Sequence, residues 1–178
     1  MARKCIVYVA MSLDGFIAST DHSLDFLKSV EKEGEDYGYY EFMENIDTVL
    51  MGRKTYDKVM SMVEVFPHSA IQTYIITENS RPSLGNLHFY TGELNELILS
   101  LKNKQGKHIF VDGGAFLVNS LLKLNAIDEI VVSIVPYLLG NGVALFQNSL
   151  QNKKIELISC KHYSTGLVQL HYTIPSIS

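Results

Sequence analysis

The stretch VLMGRKTYDKV (residues 49–59) reads as a short buried strand handing over to a helix. At the junction stand Gly52, Arg53, Lys54 and Thr55. A glycine there lets an anion reach the backbone with no Cβ in the way. The first peptide N–H groups of a helix, and its positive end, attract that anion. Arg53 adds a guanidinium fork and Thr55 a hydroxyl, so this is the composition of a phosphate seat. The same residues also suit a plain strand-to-helix turn with solvated cations. A second strand end, VDGGA (residues 111–115), places Gly113 and Gly114 before another helical stretch. Two seats of this kind suit a diphosphate-bearing dinucleotide, although neither the GxGxxG nor the P-loop spacing is present.

Composition narrows the class. The chain has 178 residues, 47% of them hydrophobic and 19% charged, which fits one globular domain spanning 1–178. A net charge of −4 provides no broad basic face for nucleic acid. No apolar run reaches the length of a membrane span. Two distant cysteines, Cys5 and Cys160, cannot form a disulfide framework and point to a reducing, cytoplasmic setting. No histidine pair has metal-site spacing, so no metal is expected.

Apolar patterning predicts strands at 4–10, 47–51, 72–77, 87–90, 108–111 and 127–136, and a hairpin of 154–163 and 167–174 around Ser164-Thr165-Gly166. Helices are predicted at 36–46, 53–62, 94–102 and 115–124, with a short one at 24–30. Alternation of strand and helix implies an α/β fold with a mostly parallel sheet, helices on both faces, and the hairpin as an antiparallel edge. Ligands of such sheets bind beyond the carboxyl ends of the strands, where both glycine junctions fall.

VAMSLDGFIA (9–18), VLMGRKTYD (49–57), YIIT (74–77), FVDGGAFLVNSLL (110–122) and DEIVVSIVPYLLGNGVALF (128–146) together resemble the dihydrofolate reductase superfamily over nearly the whole chain. The last segment resembles the reductase domain of bifunctional riboflavin-biosynthesis proteins more than dihydrofolate reductase itself. The resemblance implies a dihydrofolate reductase-like three-layer fold and NADPH as cofactor. By motif, Arg53, Lys54 and Thr55 match the stretch that holds the adenosine-side phosphates, with Gly52 before them. Thr77 matches a residue near the 2′-phosphate, although Glu78 beside it would repel that group unless it points away. Gly113, Gly114, Ala115, Phe116 and Leu117 match the turn and helix start along the diphosphate and nicotinamide ribose. Ala10 and Ile17 match positions whose backbones grip the nicotinamide carboxamide. The resemblance also implies a homodimer formed through the 130–136 strand and the LLGNG loop.

Three aspartates are candidates for proton transfer or substrate anchoring. Asp36 falls where dihydrofolate reductase carries its helix acid, with Tyr40 at the place of a substrate-facing aromatic; burial under an apolar lid would raise the Asp36 pKa, while a capping role would not. Asp14, in SLDG, is either near the substrate or a turn residue. Asp112 stands where the riboflavin branch often has Glu, or is a polar strand end. No arginine lies between Arg53 and Arg81 to fork onto a folate glutamate, and the chain has no tryptophan. The loop after SLDG is acidic, which disfavours a phosphosugar and suits a neutral or cationic heterocycle. The expected activity is NADPH-dependent hydride transfer to a C=N or C=O of a pyrimidine-, pterin- or flavin-related molecule, resembling 5-amino-6-(5-phosphoribosylamino)uracil reductase. The alternatives are a weak dihydrofolate reductase and a non-catalytic NADPH-binding homodimer.

Overall fold

A computed structural model describes residues 2–147 and 152–175. Ten strands and four α-helices alternate: β1 Cys5–Ser12, β2 Phe16–Ala18, α1 Tyr39–Met43, β3 Ile46–Gly52, α2 Arg53–Met60, β4 Gln72–Ile76, β5 Leu87–Tyr90, α3 Leu94–Lys102, β6 His108–Gly113, α4 Ala115–Lys123, β7 Glu129–Val135, β8 Val143–Ala144, β9 Glu156–His162 and β10 Val168–Thr173. A 3₁₀ helix, Asp25–Val30, follows β2. Eight strands form one sheet in the order β5-β4-β3-β6-β1-β7-β10-β9. The first six in that order are mutually parallel, and β10 and β9 close the sheet as an antiparallel hairpin. The expected α/β architecture is the one observed.

Alternation along the strands sends side chains to two helical layers. Val7, Leu50, Ile109, Val111 and Val132 face α3 and α4, whose Leu97, Ile98, Leu101, Leu117, Val118 and Leu121 are buried against them. On the other face Phe110 and Val49 pack with Tyr8, Tyr39 and Phe42 of the α1 side, and Met51 and Ile75 pack with Tyr56, Val59 and Met60 of α2. Phe26 and Val30 of the 3₁₀ helix cover Val135.

One expectation is corrected and one element went unread. The helix predicted at 36–46 is confined to Tyr39–Met43, because Tyr37 and Gly38 both take positive φ (57° and 85°) and block helical continuation from Asp36. The β2–β8 pair, which clips the turn after β1 to the loop after β7, was too short to register as period-2 alternation. β7, which carries most of the 130–136 segment, lies inside the sheet between β1 and β10 and is buried over most of its length.

Candidate functional site

The two glycine junctions are one place. β3 and β6 are neighbours, and Met51 stands opposite Gly113. A methyl group on Gly52 would lie 3.6 Å from the Gly113 carbonyl oxygen and 3.7 Å from the Gly114 nitrogen. One on Gly114 would come within 2.9 Å of Thr55 Oγ1, and Gly113 has φ +108°, a conformation open essentially to glycine. The starts of α2 and α4 therefore meet across a cradle that a Cβ would fill. Neither helix has a side-chain cap, and the Gly114 N–H has no hydrogen-bond partner among the described residues. Uncapped N–H groups at two converging helix starts are suited to receive an anion. Buried Ala115 and Leu117 anchor α4 in the core, while Phe116 is 80% exposed beside the cradle. Arg53 pairs with Asp57 one turn on in α2, and Lys54 is exposed. Thr77, past the end of β4, accepts from the Asn79 N–H at 3.2 Å, and Glu78 is exposed.

Next to the cradle the sheet splits. β1 pairs with β6 only as far as Val7 opposite Val111, yet pairs with β7 as far as Ser12 opposite Val135. The Lys4 carbonyl accepts from Ile109 on the β6 side, and the Cys5 carbonyl accepts from Asp128 on the β7 side. Peptide groups alternate along a strand, so Ala10 directs its N–H and C=O toward β6, beyond the last pair of that ladder. They are left for a ligand that can both donate and accept. Ile17, in β2, packs half-buried against the main core.

Beside this split, a cavity of about 590 Å³ has Val9, Ala10, Val30 and Leu167 among its apolar lining and Tyr8, Tyr37 and Ser133 among its polar lining. Its rim carries Glu31, Glu33, Glu35 and Asp36 against one ammonium, Lys32, which itself donates to Ser164 Oγ at 2.8 Å. Asp36 lines the cavity but lies under no apolar lid. Its two oxygens accept from the Tyr40 N–H at 2.8 Å and the Gly38 N–H at 3.0 Å, and these bonds hold its carboxyl below the usual carboxylate range. The condition for a raised pKa is thus not met, because hydrogen bonds to the charged form outweigh desolvation. The Tyr40 ring points into solvent, 74% of the residue being exposed.

The other two aspartates sit elsewhere. Asp14 is exposed and clips two loops: it accepts from Ser12 Oγ at 2.5 Å, from Leu139 N–H at 3.1 Å and from Gly140 N–H at 2.7 Å, and the Ser12 bond above all lowers its pKa. Asp112 lies at the end of β6 with one oxygen 3.4 Å from His68 Nε2.

Sequence reasoning passed over a polar network beneath the cavity. The Tyr37 carbonyl accepts from Tyr8 Oη at 2.7 Å, Gln169 Nε2 at 3.0 Å and Tyr163 Oη at 3.3 Å. Gln169 Nε2 also reaches Ser133 Oγ at 3.1 Å. Burial, opposed by the Gln169 bond, pushes the Tyr8 phenol up to about 12, so it stays a neutral donor. Contacts across as many as 161 residues left no local signal.

A split parallel sheet, converging glycine-edged helix starts and an adjoining cavity belong to a dihydrofolate reductase-like fold. Within that class the chain belongs to the RibD C-terminal domain family, which it matches over residues 3–169. It is 39% identical over 174 residues to YwjB of Bacillus subtilis (strain 168), covering 97% of this chain and 98% of the relative. A solved structure from Shewanella sp. PV-4, assigned to riboflavin biosynthesis, superposes with a TM-score of 0.87 at 31% identity, covering 99% and 100% of the two chains. The diaminohydroxyphosphoribosylaminopyrimidine deaminase/5-amino-6-(5-phosphoribosylamino)uracil reductase of Thermotoga maritima gives 0.71 at 13% identity, over 98% of this chain and 57% of that one. Among the described residues no helix is long and apolar enough to cross a membrane, and no His, Cys, Asp and Glu cluster is suited to a metal ion.

Proposed function

We propose that this chain is an NADPH-dependent reductase that transfers hydride to a C=N or C=O of a pyrimidine-, pterin- or flavin-related small molecule in the cytoplasm. The observation that carries the reading is the split between β1 and β6, which leaves the Ala10 peptide free beside both the glycine cradle and the cavity. A carboxamide both donates and accepts, and so complements that peptide. The cradle fits a diphosphate, because it is bare of Cβ atoms and edged by uncapped N–H groups.

Reduced nicotinamide, when bound, supplies the hydride. The chain binds and orients. Gly52, Gly113 and Gly114 leave room for the diphosphate, and the α4 start at Ala115, Phe116 and Leu117 offers N–H groups to it. Thr55 adds a hydroxyl, while Arg53, Lys54 and Thr77 take the adenosine-side phosphates. Asp36, held ionised, accepts hydrogen bonds from ring or amino N–H groups of the substrate and anchors it; the proton that completes reduction is drawn from solvent. Asp14 holds the β1 turn against the loop after β7.

The cavity rim supports a neutral or cationic heterocycle. Four carboxylates against one lysine repel both a ribose phosphate and the glutamate tail of a folate. We further propose a homodimer, with exposed Leu138 in the loop after β7 and exposed Leu157 and Ile158 of the outer strand β9 as its contact.

Calorimetric titration with NADPH, NADH and ATP in parallel tests the cofactor. NADPH-selective binding supports the reading, and absence of binding refutes it. Acceptor consumption by NADPH then separates an enzyme from a protein that only binds the cofactor. A single monomeric species in sedimentation at micromolar concentration refutes the dimer.

A further inference from the structure

Asp112 poses a physical conflict. It stands one residue before Gly113 and Gly114, so a carboxylate adjoins a cradle read as an anion seat. Two features of the chain resolve it.

The first is a bulge. In the β3–β6 ladder Leu50 stands opposite Val111 and Met51 opposite Gly113, which leaves Asp112 as the extra residue. The shift falls after Asp112, which keeps the face of Phe110, two residues earlier, as the pleat requires. The second is His68. It is 7% exposed, in the segment between α2 and β4, and its ring meets Phe66 and Phe110 edge-on at centroid distances of 5.5 and 5.9 Å. Those two aromatics fix the imidazole with Nε2 3.4 Å from Asp112 Oδ2. No other basic group lies within 4 Å of Asp112 among the described residues. The carboxylate therefore sits on the face of the sheet that carries Phe110. Tyr39 is on that side too, and its phenol is pushed up to about 12 by burial first and by the Asp112 charge second.

We infer that His68 is a positioning residue that draws the Asp112 carboxylate back from the glycine cradle and so keeps the cradle open to an anion. This rests on the reading of the cradle as a dinucleotide seat. Among the described residues the imidazole joins no cluster suited to a metal ion, and it lies outside the cavity lining. The sequence alone offers no hint of the pairing, because 44 positions, from 68 to 112, separate the two residues.

A double-mutant cycle tests it, with the NADPH dissociation constant and the melting temperature measured on each protein. The variants are His68→Phe, Asp112→Asn and the two combined. Phenylalanine keeps the contacts with Phe66 and Phe110 and removes the polar hold. His68→Phe is expected to raise the dissociation constant about 10-fold, through a carboxylate free to turn toward the diphosphate. Asp112→Asn is expected to bind at least as well as wild type. In the Asp112→Asn background His68→Phe is expected to change binding less than about 2-fold, since no charge is left to restrain. His68→Gln, which retains an N–H donor, is expected to bind NADPH close to wild type. Should His68→Phe not fold, His68→Leu replaces it in the cycle.

The same loss in both backgrounds means that His68 serves packing alone, and it overturns the inference; so does no loss in either. Wild-type protein that binds no NADPH removes the dinucleotide reading itself, a result distinct from an additive cycle on a protein that binds.

Discussion

Gly52 and Gly113 face each other across the cradle, yet a methyl group should act on them in opposite ways. Gly113 has φ +108° with nothing within 4 Å of an added Cβ, so Gly113→Ala meets no clash but holds an L residue in a conformation that costs about 1–3 kcal/mol. At about 2–4 °C per kcal/mol for a domain of this size, its melting temperature should fall by about 2–12 °C. Gly52 has φ −73° and ψ 146°, angles any residue adopts, and its added Cβ would make only ordinary contacts at 3.6 and 3.7 Å. Gly52→Ala should therefore leave stability unchanged or raise it by about 0.4–1 kcal/mol, through lost freedom in the unfolded chain. The new methyl would nevertheless stand over the unpartnered Gly114 N–H. Loss of one charge-assisted hydrogen bond to a phosphate, about 1.5–3 kcal/mol, corresponds to a dissociation constant about 10- to 150-fold higher. Differential scanning fluorimetry and calorimetric NADPH titration of both variants read the two quantities separately. A Gly52→Ala protein that melts with wild type and binds NADPH equally well would refute the assignment of this cradle to the phosphates.

The remaining predictions concern charge and thiols. Asp36→Asn should leave NADPH affinity within about 2-fold while raising the KM for the acceptor at least about 10-fold; because hydrogen bonds hold the wild-type carboxyl below its usual range, substrate affinity should stay flat as pH falls from 7 to 5, and a loss with a midpoint near 6 would contradict an ionised anchor. Burial pushes Glu129 up, but Lys4 at 2.5 Å and His171 at 2.9 Å pull it lower overall. Its folded pKa lies below its unfolded one, so its contribution is present above about 4.5 and lost as pH falls through the folded value; Glu129→Gln should flatten the acid limb of a Tm–pH curve, and an unchanged limb would argue against this coupling. Burial pushes the Cys5 thiol up to about 12 whereas Cys160 is exposed, so a disulfide reagent should modify one thiol per native chain and two in denaturant.

Much of the fold was legible because its signals are local. The segments 87–90 and 94–102 have the boundaries read from apolar spacing alone, since a short apolar and aromatic run and a one-faced leucine pattern each specify an element within a few residues. Glycines at strand ends likewise mark the cradle within short windows. The illegible parts have long-range causes. Tyr37 takes a positive φ that its own type disfavours, and its carbonyl is held there by three side chains from β1, the hairpin turn and β10. That arrangement converts an expected helix start into a wall of the cavity, and with it converts Asp36 from an acid under a lid into a carboxylate pinned by two peptide N–H groups.

One irregularity in β6 accounts for several parts of the candidate site together. From Ile109 to Val111 β6 keeps register with β3 and β1, then inserts Asp112 and turns at Gly113. A strand that continued straight would pair with the Ala10 peptide and close the split. It would also bring a side chain where the cradle needs none. The insertion leaves the Ala10 peptide free and sets Gly114 against Gly52 and Thr55. Deleting Asp112 should therefore do more than Asp112→Asn. With the bulge gone, β6 can zip onto β1 past Val7, giving a protein that folds and gains amide-exchange protection at Ala10 while losing NADPH binding. Retained NADPH affinity in the deletion variant, with Ala10 still unprotected, would show that the split is set by β1 and β7 instead of by the bulge.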